Sequence, residues 1–344
     1  MFYNPAMGCD RDLAVSFARA WSEVHPGAGR GWEMLAATGV RGLRILNESS
    51  LLASLLVTEG NPDALSVLSA NAERYRDRGA HVRRHDARRL PSEAPFDYVD
   101  LDPYGSPLPF LACALRSVVP GGLLAVTATD MMVLAGVVPG SCERLYGARP
   151  VRGRLAPEAA LRILLGVLER RARDSGRAIV PRLGYVGDHH VRTVVTVEEH
   201  SPRRGEPVAC LDPSVFPGPW LAGRGPFGPM WIGSLFDPSL IAKMSVPDTA
   251  ATPRETQRAL DLFRGEATID APFTFEPNEL ARRLRLPSPP RRAALIERLG
   301  ASGWAAARSH VRPSAFRTSA PRTVVEAIAV ALSSPQSQNA RVRA

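Results

Sequence analysis

Over its first two-thirds the sequence alternates between short apolar runs and helical segments, and this alternation restricts the folds it can adopt. Five runs have the length and composition of buried strands: 32–37, 55–58, 81–84, 96–99 and 123–127. Helical segments separate them, among them 62–76, which follows an N-capping Asn61. Strands that alternate with helices are typical of a parallel, doubly wound α/β sheet, which we predict here.

A second pattern follows the fifth strand. A long helix is predicted over 157–175, and two further apolar runs cover 178–186 and 191–198. The short separation of these two runs predicts an antiparallel hairpin. We expect this hairpin to lie beside the parallel strands and to extend the same sheet.

The segment from Asp100 to Pro107 follows the fourth predicted strand, so it lies at the edge where open α/β sheets bind ligands. A carboxylate there can accept a hydrogen bond from an exocyclic amine, Pro103 stiffens the turn, and Tyr104 can stack on a flat ring. This combination predicts chemistry on a nucleobase amine. Asp102, directly before the proline, is the predicted reacting acid, and Asp100 is expected to support the strand end. The alternative is ordinary turn chemistry, which also uses Asp-Pro-x-Gly.

The turn after the first strand has features of a cofactor site. Gly39 and Gly42 allow close backbone approach, and Glu59 ends the second strand, where an acid can bind ribose hydroxyls. A dinucleotide site requires a full Gly-x-Gly-x-x-Gly, whereas this loop lacks the first glycine and carries Arg41. With Asp86 after the third strand as a partner for an adenine amine, the pattern favours a nucleoside cofactor without phosphates, such as S-adenosylmethionine. Taken singly, each of these glycines is also compatible with a purely structural turn.

Charge and cysteine content indicate the environment and the partners. The chain has 43 basic and 34 acidic residues, and from Arg254 onward 15 arginines face 8 acids, which predicts a polyanionic partner for this region. The four cysteines form no Cys-x-x-Cys pair, so we predict neither a zinc site nor disulfides. Without a membrane-length apolar stretch or a signal region, we expect a cytoplasmic protein that does not span a membrane. The turn 188–190 (Asp-His-His) resembles a pair of metal ligands, but no third ligand lies at useful spacing, so we expect a structural or substrate-facing role.

Beyond these patterns, the sequence resembles a known family, the archaeal-type tRNA (guanine(26)-N(2))-dimethyltransferases. The similarity extends from residue 2 to about residue 333. It is carried by motifs that occur in the family's order: 2–5 (FYNP), 10–12 (DRD), 37–42 (ATGVRG), 100–107 (DLDPYGSP), 127–130 (TATD), 146–148 (YGA), 162–165 (RILL), 228–233 (GPMWIG) and 318–321 (TSAP).

The resemblance implies a Rossmann-like class I S-adenosylmethionine-dependent methyltransferase domain with a seven-stranded sheet, followed by a smaller α+β C-terminal domain. It implies transfer of one or two methyl groups to the 2-amino group of guanosine 26 in tRNA. The implied roles are the catalytic carboxylate for Asp102, cofactor binding for Arg11, Arg41, Glu59, Asp86 and Ala87, and stacking on the target guanine for Phe2 and Tyr104. We expect a monomer that binds tRNA and no metal.

The predicted domains are 1–238, the methyltransferase domain, and 239–344, a basic tRNA-binding domain. Residues 201–238 contain 8 Pro and 6 Gly and are predicted to be a connector. Beyond it the sequence predicts helices over 253–265, 277–286 and 289–299. A hairpin over 305–311 and 316–318 would complete a winged-helix-like arrangement.

Two other functions remain open from the residues alone. One is a DNA or RNA amino-methyltransferase acting on adenine or cytosine, although such enzymes usually carry Pro-Pro where this chain has Pro103-Tyr104. The other is a tRNA-binding protein without catalysis, which predicts a damaged cofactor pocket. The presence of Glu59, Asp86 and Asp102 argues against that alternative.

Overall fold

A seven-stranded sheet forms the centre of the protein in this computed structural model, which describes residues 3–199, 207–223 and 225–333. Its strands are β1 (Gly29–Glu33), β2 (Leu52–Glu59), β3 (Ala80–Arg84), β4 (Phe96–Leu101), β5 (Val118–Ala128), β6 (Arg177–Val186) and β7 (Val191–Glu199). The order is β3-β2-β1-β4-β5-β7-β6. The first five strands are parallel, and β7 runs antiparallel to both of its neighbours. The doubly wound sheet with an added hairpin is therefore confirmed.

Helices cover the sheet. They are α1 (Gly8–Val24), α2 (Val40–Glu48), α3 (Pro62–Glu73), α4 (Leu108–Ser117), α5 (Met131–Leu134), α6 (Pro139–Tyr146) and α7 (Ala156–Arg173). The long helix α7 is buried along most of its length and packs on β6 and β7. Within the described ranges, no helix is both long and apolar enough to cross a membrane.

Two local differences from the sequence prediction have physical causes. The first strand lies at Gly29–Glu33 and not at 32–37. Its glycines do not have the composition of a strand, but packing requires them, because a Cβ on Gly31 would lie 3.0 Å from side-chain carbons of Leu52 and Leu55. Helix α1 was not predicted, since the charged residues Asp10, Arg11 and Asp12 are buried near its start and obscure its apolar face.

The remaining elements follow β7. They are β8 (Val208–Leu211), β9 (Phe227–Trp231), α8 (Pro238–Lys243), α9 (Pro253–Glu266), α10 (Pro277–Leu284), α11 (Arg292–Ala301), β10 (Ala306–Arg308), β11 (Phe316–Thr318) and α12 (Arg322–Ser333). The antiparallel pair β8–β9 lies in the segment predicted to be a connector, and β10–β11 is the predicted C-terminal hairpin. The winged-helix-like arrangement stays a prediction.

Buried apolar side chains form two clusters. The larger one includes the sheet, α8 and residues of α9, and it extends to Phe273, whereas the smaller begins at Phe275. The domain boundary at residue 238 stays a prediction, and the two cores separate further along the chain.

A buried ion network joins the two parts. Arg317 on β11 donates hydrogen bonds to Glu158 on α7 (Nη1–Oε1 2.9 Å) and to Glu266 on α9 (Nε–Oε2 2.8 Å). All three side chains are buried, so the small C-terminal core is fixed to the sheet through charges that are neutralised in place.

Candidate active site

The turn after β1 and the end of β2 are joined through one carboxylate. Glu59 Oε2 accepts a hydrogen bond from the Ala37 amide (3.0 Å), while its Oε1 accepts from the amides of Gly60 (2.8 Å) and Asn61 (2.9 Å). Gly39 precedes α2 with a φ of 71°, a conformation that favours glycine. The turn therefore presents its backbone and the N-terminus of α2 at the carboxyl edge of the sheet.

Asp102 lies directly beyond β4, and its carboxylate is paired with Arg41 from the first turn of α2. Its side chain is 27% exposed, against 2% for Asp100. Burial acts to raise the pKa of Asp102, but the positive charges of Arg41 and Arg192 outweigh it, so its pKa is lowered below the ordinary range. The structure thus presents an ionised carboxylate that solvent can reach at this edge.

Asp100 is held inside the sheet. Arg192 on β7 donates two hydrogen bonds to it, and the Tyr98 hydroxyl donates a third, at 2.8 Å. Arg192 also donates to Thr127 Oγ1 at 2.7 Å. Because both of its carboxylate oxygens accept hydrogen bonds from these donors, Asp100 supports the strand end behind Asp102.

A further buried acid, Glu33, lies at the end of β1. Burial and the negative charge of Asp100 raise the pKa of Glu33 to about 8, and its Oε2 has no hydrogen-bond partner among the described residues. The side chain packs against Gly42, where a Cβ would lie 2.6 Å from that oxygen. Glu33, which lies behind the turn, is therefore protonated at neutral pH.

The loop that carries Tyr104 is fixed to the segment after β5. The amide of Gly105 donates to Thr129 Oγ1 (2.6 Å), and the amide of Thr129 donates to the Gly105 carbonyl (3.0 Å). Ser106 hydrogen-bonds to the hydroxyl of Tyr146 at 2.8 Å. Tyr104 itself is 83% exposed, so a rigid loop presents a free aromatic ring beside Asp102.

Arg11 approaches the site from α1. Its guanidinium donates to the Asn4 carbonyl and to the Tyr3 hydroxyl, both at 3.1 Å, and lies over the Tyr3 ring. Phe2, expected to flank the target base, lies outside the described residues. The role of Phe2 stays a prediction.

Asp86 and Ala87 follow β3, the strand paired with β2. The Asp86 carboxylate accepts hydrogen bonds from Arg88 Nε and Nη2, both at 2.9 Å, and these bonds lower the pKa of Asp86 to about 2. Ala87 is buried. Asp86 thus lies at the carboxyl edge of the sheet, with its carboxylate held by Arg88.

Sequence reasoning did not assign a role to several charged groups near this edge. Asp10 Oδ1 accepts a hydrogen bond from Tyr185 (2.8 Å), and His190 Nε2 lies 2.7 Å from the same oxygen. Arg192 and Glu33 were also missed. A charged residue within an apolar strand, as in Val191-Arg192-Thr193-Val194, is the signal that predicts such a buried partner.

The donor set fits an amino-acid nucleoside cofactor. Arg41 Nε is buried and has no hydrogen-bond partner among the described residues, so this cation retains a donor for a carboxylate. Glu59 stands at the end of β2, where ribose hydroxyls are bound in doubly wound folds.

These features together define a class I S-adenosylmethionine-dependent methyltransferase: the sheet order, the acids at the ends of β2 and β4, and the acid–Pro–aromatic turn. The chain also matches the profile of the N2,N2-dimethylguanosine tRNA methyltransferase family over residues 1–209 and 223–330. It belongs to that family, as the sequence resemblance predicted.

Similar proteins agree with this assignment. A tRNA (guanine(26)-N(2))-dimethyltransferase from Thermococcus kodakarensis is 33% identical over 356 residues, covering 94% of this chain and 92% of that protein. The enzyme of the same name from Methanocaldococcus jannaschii is 30% identical over 346 residues, covering 95% and 92%. The solved complex of Trm1 from Pyrococcus horikoshii with S-adenosyl-L-methionine has a TM-score of 0.83 and 30% identity, covering 95% of this chain and 94% of that chain.

The family and the structural similarity confirm the fold class and the S-adenosylmethionine cofactor. They support N2-methylation of guanosine 26 in tRNA and do not favour the adenine, cytosine or non-catalytic alternatives.

Proposed function

We propose that this chain methylates the 2-amino group of guanosine 26 in tRNA, with Asp102 as the catalytic carboxylate. The observation that carries the proposal is the environment of Asp102. It is an ionised, partly exposed carboxylate at the end of β4, two residues from an exposed aromatic ring on a rigid loop.

The chemistry of guanine explains the need for this acid. The lone pair of the 2-amino group is delocalised into the ring, so the amine is a poor nucleophile. Asp102 accepts a hydrogen bond from the amine, which orients the nitrogen for attack. When the new N–C bond forms, the nitrogen becomes strongly acidic, and even a carboxylate of low pKa takes its proton. Most of the rate acceleration of methyl transfer then comes from alignment of the amine with the methyl group.

Five residues are proposed to hold S-adenosylmethionine. Arg11 and Arg41 bind its methionine portion, Glu59 its ribose hydroxyls, and Asp86 with Ala87 its adenine. The bound cofactor supplies a methyl group on a sulfonium, which needs no further activation. The contribution of the chain is therefore to position this group opposite the amine held by Asp102.

The target base must leave its stack before it can reach Asp102. We assign Tyr104 to stack on one face of the guanine and Phe2 to contact the other, which offsets part of the cost of unstacking. The arginine-rich C-terminal region would bind phosphates and set the position of the tRNA. A second methyl transfer requires the monomethylated amine to rotate and present its remaining hydrogen to Asp102.

The protein is further proposed to act as a monomer in the cytoplasm without a metal ion. Among the described residues, no group of three or more His, Cys, Asp or Glu side chains is arranged to hold one. Methyl transfer from a sulfonium requires no Lewis acid, which is consistent with this proposal.

Product analysis tests the function directly. The protein is incubated with labelled S-adenosylmethionine and either unmodified tRNA or DNA, and the nucleic acid is digested to nucleosides. We expect N2-methylguanosine and N2,N2-dimethylguanosine, and their loss when guanosine 26 is replaced by adenosine. Methyladenosine, label in DNA, or label that survives this replacement would refute the proposal.

A further inference from the structure

A groove lined by arginines lies between α9 and β10, away from the groups described above. It has a volume of about 480 Å³, and Arg254, Arg258 and Asp261 line one wall while Arg308 lines the other. The lining positions on α9 recur at the 3–4 residue spacing of one helix face. The opposite face of α9 is buried through Thr256, Leu260 and Phe263.

The positive charge of this groove is not compensated by the protein. Arg254, Arg258 and Arg308 are exposed, and within the described ranges none has a side-chain hydrogen bond or an ion pair. The acid in the lining, Asp261, accepts hydrogen bonds from Gln257 (2.8 Å) and Arg264 (3.1 Å) and is thereby neutralised. Three guanidinium groups therefore remain free to bind an anion.

A fourth cation increases the positive charge near this groove. Arg292, at the start of α11, has its pKa lowered by burial and by the positive charge of nearby Arg308. Repulsion between like charges is offset when a polyanion binds.

Helix α9, which forms one wall of the groove, is joined to helix α1, which also carries Arg11. Asp12, one residue after Arg11, accepts hydrogen bonds from the amides of Ala251 (3.0 Å) and Thr252 (2.8 Å), directly ahead of α9. Thr256 Oγ1 also donates to Asp12 at 3.3 Å. Arg254 thus lies two residues beyond a contact with the helix that carries Arg11.

We propose that this groove binds consecutive phosphates of the tRNA backbone next to the displaced guanosine. The inference rests on the proposed function and specifies where the RNA backbone is held. Arg254 and Arg258 are one helical turn apart, with Cβ atoms separated by about 5–6 Å, and a guanidinium group can bind one phosphate in bidentate fashion. Contacts of this kind position the RNA without reading its sequence.

The experiment compares two double variants of the full-length protein. R254A/R258A removes two groove arginines. R74A/R116A removes two exposed arginines, from the end of α3 and from α4, that have no side-chain ion pair in the described part of the chain. Both variants lower the net charge equally, so non-specific attraction of RNA changes to the same extent. R308A tests the opposite wall separately.

Binding of unmodified tRNA is measured by filter retention from low to high salt. We expect R254A/R258A to weaken binding about tenfold or more. The slope of log K against log salt should fall in magnitude by about 2 for this variant and remain close to wild type for R74A/R116A. In steady-state methylation, the KM for tRNA should rise with kcat within about twofold, because the reacting groups are untouched.

Equal effects of the two double variants, or a lower kcat with an unchanged KM, would overturn the groove assignment. The assignment would also be overturned if R254A/R258A bound tRNA as tightly as wild type but no longer bound vesicles of anionic lipid. The proposed function fails in a different way: wild type then binds tRNA and forms no methylated guanosine.

Discussion

Arg192 holds Asp100 with both terminal nitrogens of its guanidinium group, at 3.1 Å (Nη1–Oδ1) and 2.7 Å (Nη2–Oδ2). Both side chains are 2% exposed. The pair joins β7 to β4 at the strand end from which Asp102 projects. The antiparallel hairpin therefore does more than extend the sheet, because it supplies the cation that fixes the base of the proposed catalytic turn.

Replacing Arg192 by Met should lower the free energy of unfolding by about 3–5 kcal/mol, because a buried carboxylate loses its main partner. Urea denaturation followed by circular dichroism measures this loss. The control is R116M on α4, where an exposed arginine should give a change within about 0.5 kcal/mol.

A double-mutant cycle with Asp100 separates the ion pair from simple packing. D100N should reduce the additional loss caused by R192M, since an amide leaves no unpaired charge. Strictly additive effects of the two substitutions would contradict the pairing.

Asp102→Asn should reduce methyl transfer by at least about a hundredfold, because an amide neither accepts the amine proton nor orients the amine as a carboxylate does. Binding of S-adenosylmethionine, measured by calorimetry, should change by only a few-fold. Asp97→Asn, at the opposite end of β4, serves as the control and should retain activity. Loss of cofactor binding together with activity in D102N would argue against a purely catalytic role.

Much of the fold could be predicted because its strands are local patterns. Runs such as 55–58 and 123–127 are apolar and lie between polar turns, and their alternation with helices determines the sheet type. The predicted bounds of the first strand were wrong because Gly29 and Gly31 have low strand propensity. These glycines are required by contacts with neighbouring strands, which the local sequence does not show. The β8–β9 pair was missed because its segment is rich in proline and glycine.

The site could be predicted only in part, for a similar reason. Glu59 ends a strand, and Asp86 and Asp102 follow strands, so their position at one edge results from a parallel sheet. Asp100 and Arg192 are 92 residues apart, and Asp10 and His190 are 180 apart. No spacing rule connects such residues, because the topology of the hairpin brings them together.

Tyr104→Ala should lower kcat/KM for tRNA by roughly tenfold or more, because stacking of a base on an aromatic ring contributes about 1–3 kcal/mol. The ring is 83% exposed, so the free energy of unfolding should change by less than about 0.5 kcal/mol. Steady-state kinetics and urea denaturation measure the two quantities. Tyr104→Phe keeps the ring and should retain activity, and an inactive Phe variant would instead assign the role to the hydroxyl.

Glu33 gives the stability of this protein a distinct pH dependence. Its pKa is about 8 in the folded protein, raised from 4.5 by burial and by the negative charge of Asp100. Between these two values the folded state binds the proton that the unfolded state has released. The free energy of unfolding therefore falls as the pH rises through this window, by up to about 1.4 kcal/mol per pH unit from this group. Below the window the stabilisation is fully present, and above pH 8 it is lost.

Glu33→Gln removes the titrating group while keeping its size, so the variant should lose this component of the pH dependence. At pH 9 it should be more stable than wild type, because no charge is then buried at this position. Urea denaturation from pH 5 to 9 measures both effects. The control is Glu73→Gln, whose side chain is 70% exposed and which should follow the wild-type curve. Parallel curves for E33Q and wild type across this range would show that Glu33 is not protonated in the folded protein.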